Sequence, residues 1–128
     1  MDKRIIATDA APKAIGPYAQ AVASGGFLFV SGQIPLDPKT GSLVEGPIAD
    51  QARRVMDNLQ AVLQAAGASF ADVVKATVYL VDLNDFAAVN DVYGEYVGES
   101  PPARATVQGA ALPRGARVEV ELIARLVD

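Results

Sequence analysis

Arg104 and Glu119 are the side chains with the clearest capacity for chemistry. They sit in two strand-like runs, 103–108 and 116–127, joined by the segment GAALPRGA. An antiparallel pairing centred near residues 112 and 113 puts Arg104 opposite Glu119. Directly opposed residues point to the same face of a sheet. A guanidinium is always charged, and its planar fork matches a carboxylate with two parallel hydrogen bonds. A neighbouring glutamate can orient or deprotonate a water. Its pKa is pulled down by the arginine and pushed up by burial. The same pair also reads as a cross-strand salt bridge, which is weak when exposed.

The residue types that are missing narrow the chemistry. The chain has no cysteine and no histidine. Disulfides, thiolate nucleophiles, Cys-ligated zinc, iron–sulfur clusters and His-based triads or proton shuttles are therefore excluded. Acid–base work falls to Asp, Glu, Tyr, Lys, a backbone group or water. Glu119 and Glu121 lie two apart on one strand face. A metal there is disfavoured because Arg117 and Arg125 share that face and no third carboxylate is placed. The balance of 11 Lys and Arg against 15 Asp and Glu gives a net charge of −4, with the basic residues scattered. Nucleic acid and anionic membranes are poor partners for such a chain.

Three further places carry weaker signals. Gly16-Pro17-Tyr18 sets a turn before a strand, with Tyr18 as an ordinary half-buried residue or a site residue. Ser31-Gly32-Gln33 ends a strand, where the glycine marks a bulge or a close ligand approach. Asn90 falls on the apolar face of a helix between Phe86 and Tyr93. A buried Asn needs partners, which points to tying down a neighbouring loop.

The elements that position these residues can be read from periodicity. The 128 residues make one domain with room for a core. From Ile48 to Ala66 apolar residues recur at steps of three and four, a helix stripe with Pro47 before it and Gly67 after it. A second helix is expected over 83–97, capped by Asp82 and stopped by Gly98. Strands are expected at 4–7, 18–23, 26–31, 73–81, 103–108 and 116–127. A tight hairpin joins the second and third at Ser24-Gly25-Gly26. Along the last strand Val118, Val120, Leu122, Ala124 and Leu126 face one way, and Arg117, Glu119, Glu121, Ile123 and Arg125 the other. This predicts an α+β two-layer sandwich with two helices on one face of the sheet. The other face then meets water or another subunit. The uncharged stretch 14–36 is broken by Gly and Pro and is no membrane span, and residues 5–7 are too short for a signal core. The expected compartment is the cytoplasm.

The segments IGPYAQAV (15–22), FVSGQIPLDPKTG (29–41), NLQAVLQAAG (58–67), VVKATVYLVDLNDFAAVN (73–90) and PPARATV…LPRGARVEVE (101–121) strongly resemble the Rid family, also called YjgF, of enamine and imine deaminases, and most closely its RidA subfamily. The resemblance runs in order over essentially the whole chain. It implies a chorismate-mutase-like fold with a mixed six-stranded sheet, and a homotrimer with helices outside and clefts between subunits. It implies hydrolysis of 2-aminoacrylate- and 2-aminocrotonate-type enamines and imines to 2-oxo acids and ammonia, without metal or cofactor. In the family pattern Arg104 binds the substrate carboxylate, assisted by the backbone at Thr106. Glu119 handles the attacking water, Tyr18, Ser31, Gly32 and Asn90 line the cleft, and Pro113 lies in a loop near it. Many members carry Cys where this chain has Thr106. A position acting through its backbone tolerates that change. Family labels also raise a ribonuclease that inhibits translation, against which the acidity and the missing histidines argue. A trimeric, non-catalytic carboxylate-binding or regulatory protein would need Arg104 equally.

Overall fold

The computed structural model describes residues 2–126. Strands β1 (Arg4–Ile6), β2 (Ala21–Ser24) and β3 (Phe27–Gln33) precede helix α1 (Ile48–Ala65). Strand β4 (Val73–Leu80), helix α2 (Phe86–Val97), strand β5 (Ala103–Gln108) and strand β6 (Val118–Arg125) follow. The six strands form one sheet in the order β1-β2-β3-β6-β4-β5. Only β4 and β5 run parallel. The sheet is therefore mixed, as the resemblance implies.

Local chemistry explains the elements. Helix α1 buries Ala52, Val55, Met56, Leu59, Val62 and Leu63 along one stripe. It ends when Gly67 turns left-handed at φ +80°, and Ala68 N–H then closes on the Leu63 carbonyl at 2.9 Å. Between β2 and β3, Gly25 and Gly26 both take positive φ, which suits the two-residue hairpin turn that matches strand twist. The Asp82 side chain accepts from Asn84 N–H and starts a single 3-10 turn that leads into α2.

One apolar core lies between the helices and the sheet. Val118, Val120, Leu122 and Ala124 of β6 are buried in it, so Glu119, Glu121 and Ile123 take the helix-free face. That face also carries exposed Phe27 and Phe29 of β3, Ile5 of β1 and Val107 of β5. No described helix is long and apolar enough to cross a membrane.

The pairing expected between 103–108 and 116–127 does not occur, because β4 lies between them. Arg104 is level with Ala76 of β4, and Glu119 with Tyr79 of β4. The reason is the connection through α2. A strand that returns after a helix lies parallel beside the strand that preceded it, so β5 docks on β4. The segment after β5 then crosses β4 to reach β6. Ala76 is buried under the helices, so its level neighbour Arg104 projects to the helix side. Arg104 and Glu119 thus occupy opposite faces of the sheet, and no cross-strand salt bridge joins them.

Candidate active site

Two half-sites result. The first is a cleft of about 600 Å³ that brings Tyr18, Ser31, Gly32, Pro113 and Glu119 together, with Ile15 and Ile34 among its apolar walls. Its floor is a β-bulge. Val30 is level with Leu122 and Gln33 with Val120, so Ser31 and Gly32 share the space opposite one residue. The glycine is required there. A Cβ at Gly32 would collide with the Glu119 carboxylate, its carboxyl carbon lying 2.9 Å away. Gly32 therefore makes a bulge, and the group that passes close to its backbone is the Glu119 carboxylate. Ser31 Oγ donates to the Ala19 carbonyl at 2.6 Å, and Ser31 N–H donates to the Gln20 carbonyl at 3.0 Å. These bonds tether the segment that presents Tyr18. Tyr18 itself is 54% exposed, more open than the half-buried residue expected from its turn.

Glu119 is partly buried, and among the described residues it has no ion-pair partner. Burial, first, and the Glu121 carboxylate, second, push its carboxyl above the ordinary range. Glu121 is engaged elsewhere, accepting from Tyr79 Oη at 2.6 Å. That hydrogen bond, with burial, pushes the Tyr79 phenol up. Beside Pro113, Arg114 holds a left-handed backbone at φ 59° and donates to the Gly41 carbonyl at 3.1 Å. The loop at the cleft is thereby strapped to the 37–42 turn.

The second half-site is a notch at the outer edge of the sheet, formed by Arg104 and Asn90 with Tyr93, Pro101 and Pro102. Arg104 Nη1 donates to Asn90 Oδ1 at 2.7 Å. Its guanidinium carbon lies 5.5 Å from the Phe86 ring centre and 4.8 Å from that of Tyr93. Among the described residues Arg104 forms no ion pair. Asn90 does not tie down a loop, as its place in the helix stripe suggested; it holds the arginine. Thr106, half-buried, follows two residues along the same face of β5 and lines neither the cleft nor the notch.

Sequence reasoning passed over Phe86 and Tyr93, which read only as core positions. Their spacing with Asn90, at i, i+4 and i+7, is one helix stripe with an amide in its middle. It also passed over Gln20, which is 4% exposed. The Gln20 side chain accepts from Thr8 N–H at 2.7 Å and donates to the Thr8 and Pro12 carbonyls at 3.0 and 2.7 Å.

Comparison with known proteins agrees with this architecture. A family model described as Endoribonuclease L-PSP matches residues 8–126. A goat (Capra hircus) protein named 2-iminobutanoate/2-iminopropanoate deaminase is 53% identical over 95% of this chain and 89% of its own. The structure of YyfA from Yersinia pestis, described as a conserved Rid family protein, superposes with a TM-score of 0.95 at 47% identity, covering 98% of this chain and 100% of that one. E. coli TdcF, solved with bound serine, superposes with a TM-score of 0.92 at 45% identity over 97% of this chain and 99% of its own. With the family model matched over nearly the full length and relatives at about this identity, the chain belongs to the Rid (YjgF/RidA) family, the family that model calls Endoribonuclease L-PSP.

Proposed function

We infer that this chain is an imine deaminase, hydrolysing 2-imino acids of the 2-iminobutanoate and 2-iminopropanoate class to 2-oxo acids and ammonia. The observation that carries the reading is the state of Arg104. Its charge is held by an amide and two aromatic rings, with no carboxylate among the described residues neutralising it. Such a cation is ready for the carboxylate of a small substrate. Serine bound to the E. coli relative is a ligand of that kind, an α-amino acid.

The proposed course uses few groups. An enamine substrate first tautomerises, a proton leaving nitrogen as one arrives at C3. Arg104 holds the carboxylate, and Glu119 holds a water against C2. The water's oxygen bonds to C2 and its proton passes to Glu119, while the C=N pair moves to nitrogen and takes up a solvent proton to give the carbinolamine. The carbinolamine then expels ammonia as the C=O bond forms, Glu119 returning its proton to the departing nitrogen and the hydroxyl proton leaving to solvent. A carboxyl whose pKa is raised by burial suits both halves of that exchange. Orientation supplies most of what is needed, because imines already hydrolyse in water. Tyr18, Ser31, Gly32 and Pro113 shape the Glu119 side, and Asn90 and the backbone at Thr106 the Arg104 side.

Arg104 and Glu119 lie on opposite faces of one chain, so the reading needs a second copy to bring them together. A homotrimer does this with three equal clefts, each taking Arg104 from one copy and Glu119 from the next. Exposed Ile5, Phe27, Phe29 and Val107 on the helix-free face support such an assembly. The same reading takes residues 1–128 as a single Rid domain, acting in the cytoplasm to clear reactive imines, with no nucleic-acid or membrane partner.

A coupled assay tests the function. An amino-acid oxidase or a threonine dehydratase generates the imine in semicarbazide, and semicarbazone formation is followed. Added protein should suppress it, and Arg104→Ala should lose kcat/KM by about 10- to 150-fold, the loss of roughly 1.5–3 kcal/mol of charged hydrogen bonding. A wild type that diverts no imine rejects the reading.

A further inference from the structure

The two rings beneath Arg104 have no part in the reaction course above. Phe86, Asn90 and Tyr93 share one stripe of α2 that faces edge strand β5. Phe86 is 37% exposed, more than a position kept only for the core. Tyr93 is 5% exposed, and its hydroxyl is buried without a hydrogen-bond partner among the described residues. A hydroxyl left unpaired at that depth is no reason to keep a tyrosine. The ring face, 4.8 Å from a guanidinium, is one.

Rings hold a cation in a particular way. Their negative faces attract it, but they accept few of its directed hydrogen bonds and leave its charge intact. A carboxylate in the same place would fix the side chain and cancel its charge. Asn90 engages one Nη1 donor, and among the described residues the remaining N–H groups have no side-chain or backbone partner. An arginine at a free sheet edge otherwise samples many rotamers, which weakens binding when they are lost. We propose that Phe86 and Tyr93 form a π cradle that, with Asn90, pre-orients the Arg104 guanidinium toward the substrate carboxylate, making both aromatics positioning residues of the deaminase. The role rests on the deaminase reading and adds a determinant of substrate affinity to it.

The test compares Phe86→Leu, Phe86→Tyr, Tyr93→Leu and Tyr93→Phe with wild type and Arg104→Ala in the semicarbazide assay. Thermal melting and molecular mass are followed in parallel. Calorimetry measures binding of 2-oxobutanoate, a product carboxylate. Phe86→Leu should raise KM and weaken 2-oxobutanoate binding about three- to tenfold, while kcat stays within about a factor of two. Phe86→Tyr and Tyr93→Phe should restore wild-type affinity, because each keeps its ring. A merely structural role would follow melting temperature instead of ring chemistry. Wild-type KM in a folded Phe86→Leu protein overturns the cradle. So does a loss in kcat alone, or a Tyr93→Phe variant as impaired as Tyr93→Leu. If Tyr93→Leu fails to fold, the partly exposed Phe86 position decides. A wild type with no deaminase activity rejects the underlying reading. An active wild type with a defective Arg104→Ala and a normal Phe86→Leu rejects the cradle alone.

Discussion

At the scale of single residues, Glu119 is placed against its own stability. Burial and Glu121 raise its folded-state pKa, so the folded chain binds the proton more tightly than the unfolded chain does. Stability linked to this group is therefore greatest below the unfolded glutamate pKa and falls as pH rises through the folded value. Glu119→Gln should abolish turnover yet melt no lower than wild type at pH 7. Any advantage should shrink as pH falls toward about 4, near the ordinary glutamate value. Turnover by wild type should show an acid limb centred above the ordinary carboxylate range, because the water-activating form is the anion. A Glu119→Gln protein that still diverts imine would remove Glu119 from the chemistry. Gly32 tests the same carboxylate from below. Gly32→Ala sets a methyl group where the Glu119 carboxylate passes, so kcat should fall at least tenfold, roughly the effect of a misplaced catalytic group. Wild-type kcat in this variant would mean that the bulge has room to yield.

At the scale of elements, the site depends on how loops are held to the sheet. Gln20 clamps the 8–12 segment onto β2, and Asn58, fully buried in α1, donates to the Leu36 carbonyl at 2.9 Å. Gln20→Leu should cost about 1–3 kcal/mol in urea unfolding, since backbone groups of Thr8 and Pro12 lose their partner. It should also raise KM, because the segment leading to Tyr18 loosens. An unchanged unfolding midpoint would show that water replaces the clamp. These elements also mark how far the sequence could be read. Helix α1 was legible because Ala52, Val55, Met56, Leu59, Val62 and Leu63 repeat every three or four residues. The helix-side face of β6 was legible because Val118, Val120, Leu122 and Ala124 alternate with polar residues. Alternation tells which side a residue faces but not which strand lies alongside. Nothing within ARATVQ says that β4 would intervene before β6. The available signal was α2 itself, since a helix between two strands favours parallel neighbours. The Asn90 partner was missed for the same reason: its stripe gave the helix face, and only the β4–β5 pairing put Arg104 against it.

At the scale of the whole molecule, the separation of Arg104 and Glu119 yields the most discriminating prediction. If one chain used both of its own residues, a defect in either would stay with that chain in any mixture. If the two residues come from neighbouring copies around a closed ring, defects can be shared out. At low substrate, Arg104→Ala homotrimers should keep no more than about a tenth of wild-type activity and Glu119→Gln homotrimers essentially none. Unfolded together in equal amounts and refolded, they should form mixed rings. A working cleft then needs its arginine from a Glu119→Gln chain and its glutamate from an Arg104→Ala chain. Random mixing meets both conditions in about a quarter of clefts, since each condition holds about half the time. Recovery of about a quarter of wild-type activity, absent when the intact variants are simply combined, is the expected outcome. No recovery in refolded, trimeric mixtures would mean that each chain completes its own site, which would require Arg104 to leave its place over Phe86 and Tyr93 and reach across the sheet. The measurement therefore separates a shared cleft from a moving arginine without depending on which imine is the preferred substrate.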